Sequence, residues 1–262
     1  MRWEHLLVSG ALLQATTASP ISDRNFSTNV FTSINKRQTT PPGSFIMTCS
    51  VPGTIALTFD DGPFDYTNKL LDILAQYNVH ATFFINGNNM GASIETSLDK
   101  QNTLKRAYAE GHQIASHTWA HADLSWISDA RRVWQMAKLD SVLMKIIGVS
   151  PTYMRPPYGS CGVACMDTMR SLGYRVVHWS LDTLDYAVED SSEIELAQNV
   201  FNEKLPVDPS APGPIVLAHD SRKLTVDSLT EYMIIQALNA GFKPVTVGEC
   251  LEEDRQFWYK TA

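Results

Sequence analysis

Thr54-Ile55-Ala56-Leu57-Thr58-Phe59-Asp60-Asp61-Gly62-Pro63 is the stretch on which the reading of this chain turns. The apolar run 54–57 reads as a short buried strand, and Gly62-Pro63 ends it. Side chains at neighbouring strand-end positions point in different directions, so Asp60 and Asp61 can do different work. One could bind a metal while the other acts as a base. An Asp-Asp-Gly turn with two solvated carboxylates fits the tripeptide equally well, so the rest of the chain must decide.

Working outward, Asp65 or Thr67 can cap a helix carrying Leu70, Leu71, Leu74 and Tyr77 at helical spacing. Residues 79–85 form the next expected strand, ending at Asn86-Gly87-Asn88-Asn89. Further strands are expected at 112–116, 152–154, 174–179, 215–218 and 242–247. Helices are expected at 102–110, from Ser128 through Ile147 with Gly148 as the stop, at 165–172, from Ser192 to about 202, and at 226–240. The alternation of strand and helix, with no repeat, points to parallel β/α units in a barrel or an open doubly wound sheet. The polar clusters all fall just after strands, and in a barrel that gathers them on one face.

With 262 residues and 44% hydrophobic content, the chain can bury one large core. The net charge is -7; without residues 1–37, which hold four basic and two acidic side chains, 17 basic and 26 acidic remain, or -9. Such a surface is a poor partner for nucleic acid or anionic lipid, and a neutral substrate is the easier assumption. Arg2 precedes the apolar run 6–13 and the small residues 15–19, which together read as an export signal over 1–19. No stretch is long enough to span a membrane. Residues 20–37 read as a pro-segment or flexible linker with an Asn25-Phe26-Ser27 glycosylation acceptor. Lys36-Arg37 reads as a dibasic processing site leaving Gln38 first, or equally as two surface basic residues. Export makes Cys49, Cys161, Cys165 and Cys250 two expected disulfides, with three connectivities open. Cys161 and Cys165 are close enough to close a small loop, and Cys49 and Cys250 would then tie the domain's start to its end.

His117 and His121 lie four apart, on one face of a helical turn, and two such imidazoles can share one ion. A strand-end aspartate would complete a two-histidine, one-carboxylate site with open positions for water. Thr118 stands where the zinc-protease helix motif needs Glu.

Five clusters in order now carry a resemblance: 58–62, His117-Thr118-Trp119-Ala120-His121, Arg155-Pro156-Pro157-Tyr158, Asp182-Thr183-Leu184-Asp185-Tyr186 and Leu217-Ala218-His219. They resemble the motifs of the polysaccharide deacetylases, the NodB-homology group of carbohydrate esterase family 4. The likeness runs from about Thr48 to Leu251, and the secreted single-domain form is most similar to fungal chitin deacetylases. The resemblance implies an α/β fold, a distorted (β/α) barrel of the NodB-homology type, as a single catalytic domain over 46–255. It implies Asp61, His117 and His121 as ligands of one divalent metal ion, Zn2+ or Co2+, and Asp60 as the base. Arg155 would orient that base, the Tyr158 backbone N–H would donate to the oxyanion, and His219 would be the general acid with Asp185 as its partner. Leu217 would line the acetyl pocket, with Tyr158, Tyr186, Asp182 and Met90 as further substrate contacts. The family usually ends its fourth motif in Trp, where this chain has Tyr186. Fungal relatives often carry Trp where Met90 stands, so a weaker grip on long chains is expected. Asp182 could simply pair with a basic neighbour. His80, His112 and His178 read as core or edge residues, Trp119 and Trp179 as packing, and Trp126 is open.

The expected activity is removal of N-acetyl groups from chitin or its oligomers, by a secreted monomer in the extracellular space or cell wall. Two rivals, an acetylxylan esterase and a peptidoglycan N-acetylglucosamine deacetylase, share these motifs. A non-catalytic carbohydrate-binding protein would not need both a base and an acid.

Overall fold

The computed structural model describes residues 40–260. The expected export signal at 1–19 and the 20–37 segment with Asn25 and Lys36-Arg37 lie outside the described residues. Strands β1 (Phe45–Ile46), β2 (Thr48–Pro52), β3 (Thr54–Asp60), β4 (Thr82–Ile85) and β5 (Gln113–Ser116) alternate with helices α1 (Thr67–Gln76) and α2 (Leu98–Ala109). Then come α3 (Asp129–Ile147), β6 (Ser150–Pro151), β7 (Tyr153–Met154), α4 (Val163–Ser171), β8 (Arg175–Val177) and β9 (Leu181–Asp182). The remainder is α5 (Ile194–Lys204), β10 (Pro212–His219), α6 (Thr230–Asn239), β11 (Lys243–Val245), α7 (Val247–Cys250) and β12 (Tyr259–Lys260).

The main sheet runs β1-β8-β7-β5-β4-β3-β10-β2, and every pair along it is parallel except β10 with β2. β3 lies at its centre, and all six residues after Thr54 are buried, as expected of a parallel strand covered on both faces. β10 pairs along one edge of β3, and two strands share the other: β11 pairs with its first residues and β4 with its last. β9 pairs with β10 beyond the reach of β2. The sheet curls into a nearly closed barrel, and two short links bridge the gap. Ile46 ends β1 at one edge while Thr48 begins β2 at the other, and β8 runs through only three residues into β9. The His178 N–H continues the β8–β1 ladder by donating to Ile46 O at 2.7 Å, and two residues on the Ser180 N–H donates to Ile215 O of β10 at 3.1 Å, tying the link between β8 and β9 to the far side.

Local chemistry sets the ends of elements, not always as the sequence led us to expect. The Ser128 hydroxyl caps α3 by accepting from the Arg131 N–H, and Gly148 closes it in a left-handed conformation with φ 76°. Neither Asp65 nor Thr67 caps α1: Thr67 is its first residue, and its hydroxyl accepts from the Phe64 N–H and donates to Asp220. Asp190, not Ser192, caps the 3-10 turn Ser191–Glu193 that leads into α5. α2 starts earlier than expected, because Ser97 caps it, and a π turn at Thr225–Leu229 forms the first part of the expected 226–240 helix. The last expected strand is only β11, because Thr246 and Glu249 form a capping box that turns the chain into α7.

Cys49 is bonded to Cys250 and Cys161 to Cys165, with Cα separations of 4.9 and 5.1 Å. The first joins β2 to α7 and so ties the two ends of the barrel sequence. In the chain-entropy picture, opening the Cys161–Cys165 loop with alanines lowers stability by about 2 kcal/mol, readable by urea unfolding. No helix among the described residues is long and apolar enough to cross a membrane.

Candidate active site

Every candidate cluster sits at or just past the C-terminal end of a parallel strand: Asp60 ends β3, His117 follows β5, Arg155 follows β7, Asp182 ends β9 and His219 ends β10. Register does the rest, since His219 is paired directly with Asp60. Asp60, His117, Asp182 and His219 line a cleft of about 440 Å³ with Asp61, His121, Pro156, Tyr158, Gly159, Trp179, Tyr186, Leu217 and Arg222, while Arg155 and Asp185 are buried behind them.

The side-chain donor atoms of Asp61, His117 and His121 all lie within 4.8 Å of one another. His121 Nε2 is 3.3 Å and His117 Nε2 3.7 Å from Asp61 Oδ1. His117 Nδ1 is 2.7 Å from Arg155 O, a carbonyl that can only accept, so Nδ1 is the donor there and Nε2 is the nitrogen turned toward Asp61. His121 Nδ1 lies 3.2 Å from the Tyr158 hydroxyl, which can accept its proton in the same way. Burial, then the neighbouring His117, pulls the His121 pKa below the usual histidine value, which keeps the ring neutral. Two imidazoles and one carboxylate, each oriented by a second hydrogen bond, fit a divalent cation. The loop is braced by buried Asn86, which donates to His117 O and Thr118 O, and Asn89 donates to Asp61 Oδ1 at 3.4 Å.

Asp60 is buried and held apart from that task. Arg155 Nη1 donates to its Oδ1 at 2.8 Å and to the Thr58 hydroxyl at 2.7 Å. Arg155 itself is fully buried, donates to His178 O at 2.9 Å and stacks over Phe84. The other oxygen of Asp60, Oδ2, lies 3.8 Å from His117 Nε2 and so faces the ligand triangle.

On the neighbouring strand, His219 Nδ1 is 2.8 Å from Asp185 Oδ1, and the His219 backbone N–H donates to Asp185 Oδ2 at 2.7 Å. The Thr225 hydroxyl donates to the same Oδ2 at 2.7 Å. Burial pulls the His219 pKa down, but the charge and hydrogen bond of Asp185, helped by Asp60 and Asp61, outweigh it and push it up to about 9. A cation at Asp61 would offset the part owed to Asp60 and Asp61, leaving Asp185 as the durable cause.

Tyr158 and Leu217 line the cleft, and Tyr186 sets its ring edge-on to His219 with its hydroxyl donating to Asp182. The Asp182 carboxylate accepts from the Leu184 N–H and the Tyr186 hydroxyl, while Lys204 Nζ reaches its backbone carbonyl at 3.4 Å. Met90 is not in the cleft: it lines a separate depression with Phe64, Asp65, Asn68 and Lys100. His112 is a core residue that accepts from the Ala81 N–H, and burial pulls its pKa down to about 4. Trp119 packs inside, but Trp179, expected only as packing, forms part of the cleft wall, and Trp126 is exposed away from it. Sequence reasoning also passed over Arg222, which lines the cleft from the turn after His219.

The backbone is strained where the chemistry gathers. Asp61, Thr118, His121, Tyr158 and Leu184 all have left-handed φ, between 51° and 76°. Non-glycine residues hold such angles only when their surroundings impose them, and such strain clusters at functional sites.

Residues 49–177 match the polysaccharide deacetylase family model. The chain is 41% identical to a chitin deacetylase of Colletotrichum lindemuthianum over 96% of this chain and 95% of that one. It belongs to the polysaccharide deacetylase family. Among solved structures, a chitin deacetylase from the same fungus superposes with a TM-score of 0.82 at 44% identity, covering 84% of this chain and 97% of that one. A peptidoglycan N-acetylglucosamine deacetylase superposes with a TM-score of 0.70 at 28% identity, covering 82% and 95%. This deacetylase-family chain therefore has the expected nearly closed α/β barrel, with the five motif clusters at one end of it.

Proposed function

We propose that the protein is a secreted, divalent-metal-dependent deacetylase that hydrolyses the N-acetyl groups of chitin or chitin oligomers, giving glucosamine units and acetate. The observation that carries this reading is the pairing of two braced groups in one cleft: Asp60 held by Arg155, and His219 held by Asp185, beside the Asp61-His117-His121 triangle. A binding-only protein has no use for a matched base and acid. The likeness to chitin deacetylases over nearly the whole chain favours chitin over xylan or peptidoglycan. Two disulfides and the apolar leader support export.

When bound, the cation, zinc or cobalt, would polarise the acetyl carbonyl and lower the pKa of water beside it. Asp60 Oδ2 takes the proton from the attacking water, while Arg155 keeps Oδ1 fixed. The Tyr158 backbone N–H, on its left-handed turn, donates to the carbonyl oxygen as charge develops there. His219 gives its Nε2 proton to the departing amine nitrogen while Nδ1–H stays on Asp185. Water thus adds to the acyl carbon, the C–N bond breaks, and the products are an amine and acetate. Leu217 and Tyr186 supply apolar wall for the acetyl methyl.

The acid must be protonated, so activity falls as pH rises through the His219 pKa. Asp185→Asn removes the charge that raises it, so the alkaline limb of the kcat/KM profile moves to lower pH and kcat falls by about 10-fold or more. An alkaline limb left in place would show that His219 is not the titrating acid. Substrate is decided by acetate release from chitin oligomers, acetylated xylan and peptidoglycan glycan strands run in parallel. Release from chitin oligomers at the highest kcat/KM is expected; release from another of the three alone would transfer the same chemistry to that polymer.

A further inference from the structure

Asp220 follows His219 at the end of β10 and has no part in the steps above. Its side chain is fully buried, with 0% exposure. The Thr67 hydroxyl donates to its Oδ2 at 2.6 Å, while Oδ1 has no hydrogen-bond partner among the described residues. A buried carboxyl with a single hydrogen bond is an unfavourable thing to keep. Its neighbours indicate what it does there.

The carboxyl is pressed against Gly62: a Cβ at that position would collide with both of its oxygens. Glycine is therefore required beside Asp61 for close approach rather than for turn geometry alone. On the other side, the Asn86 N–H donates to Gly62 O at 3.0 Å, so Gly62 is gripped between β10 and the turn after β4. Asp61, one residue earlier, has φ 76°, a left-handed conformation costing about 1 kcal/mol that must be held from outside. Thr67, the first residue of α1, anchors the gripping carboxyl in turn. Three elements thus meet on the turn that carries Asp61.

We propose that Asp220 is a positioning residue for Asp61: the Thr67–Asp220–Gly62 contact holds the left-handed turn in the conformation that presents the Asp61 carboxylate to a divalent cation. This rests on Asp61, His117 and His121 being the cation site. Asp220 acts through shape and one accepted hydrogen bond, both of which asparagine keeps.

The test is zinc affinity by isothermal titration for the wild type, Asp220→Asn, Asp220→Ala, Thr67→Val and the Ala/Val double variant, with urea unfolding of each metal-free protein alongside. Asp220→Ala should bind zinc about 10–100-fold more weakly, the range typical of groups that orient a ligand. Asp220→Asn should bind nearly as the wild type does. Thr67→Val should weaken binding in the same direction, and the double variant should be no weaker than Asp220→Ala, because both act through one contact. Unchanged zinc affinity in a folded Asp220→Ala protein overturns the proposal, as does an Asp220→Asn protein as weak as Asp220→Ala. If Asp220→Ala does not fold, Thr67→Val decides: affinity equal to wild type overturns it. A wild type that binds no zinc, seen before any variant is compared, would instead remove the cation site on which the proposal stands.

Discussion

Asp60→Asn should lower the rate of acetate release from chitin oligomers by roughly 10²–10⁴-fold and leave metal stoichiometry unchanged. The substitution preserves shape. The side-chain oxygen that accepts from Arg155 Nη1 at 2.8 Å remains, so the buried guanidinium keeps its partner and the floor of the cleft should not move. The three side chains proposed to hold the cation, Asp61, His117 and His121, are untouched. What disappears is basicity at the atom facing the ligand triangle, where Oδ2 becomes an amide nitrogen. Rates within a few-fold of wild type, with metal bound, would show that another group takes the proton.

Arg155→Met should be the most damaging change to stability, by about 3–5 kcal/mol. Arg155 is fully buried, and its fork serves Asp60, Thr58, Val177 O and His178 O at once. Methionine fills much of the volume but leaves the nearly buried Asp60 carboxylate without a counter-charge and two carbonyls without a donor. The Trp179 wall of the cleft, which packs near the guanidinium, would also lose its support. Arg155→Lys keeps the charge without the fork and should recover only part of the loss. Urea unfolding decides it: a loss below about 1 kcal/mol for Arg155→Met would mean that Asp60 finds another partner.

Much of this architecture was legible because the longer strands announce themselves by buried runs and each cluster by its place just after a strand. The run 54–57 lies in β3, His117 and His121 come together beside Asp61, and the Ser128 cap and Gly148 stop fall where expected. What closes the barrel was not legible. β1 and β9 are two residues each, too short for any periodicity, and are strands only because β8 and β10 accept them. Thr67 was misassigned as a cap because a buried carboxyl 153 residues later claims its hydroxyl, a contact no local pattern reveals. Trp179 reads as packing from its strand, yet it ends where the sheet curls and its ring meets the cleft. Asp220 was passed over because an aspartate after a strand-end histidine looks like turn chemistry, and only burial separates the two cases.

The most direct test of the central claim is acetate release from a chitin oligomer by metal-stripped protein titrated with zinc or cobalt. The account predicts negligible release at zero metal, a linear rise, and a plateau at one ion per chain, with no recovery in His121→Ala at the same concentrations. Full release from stripped protein, or a rise unaffected by His121→Ala, would contradict the assignment of Asp61, His117 and His121 as the catalytic metal centre.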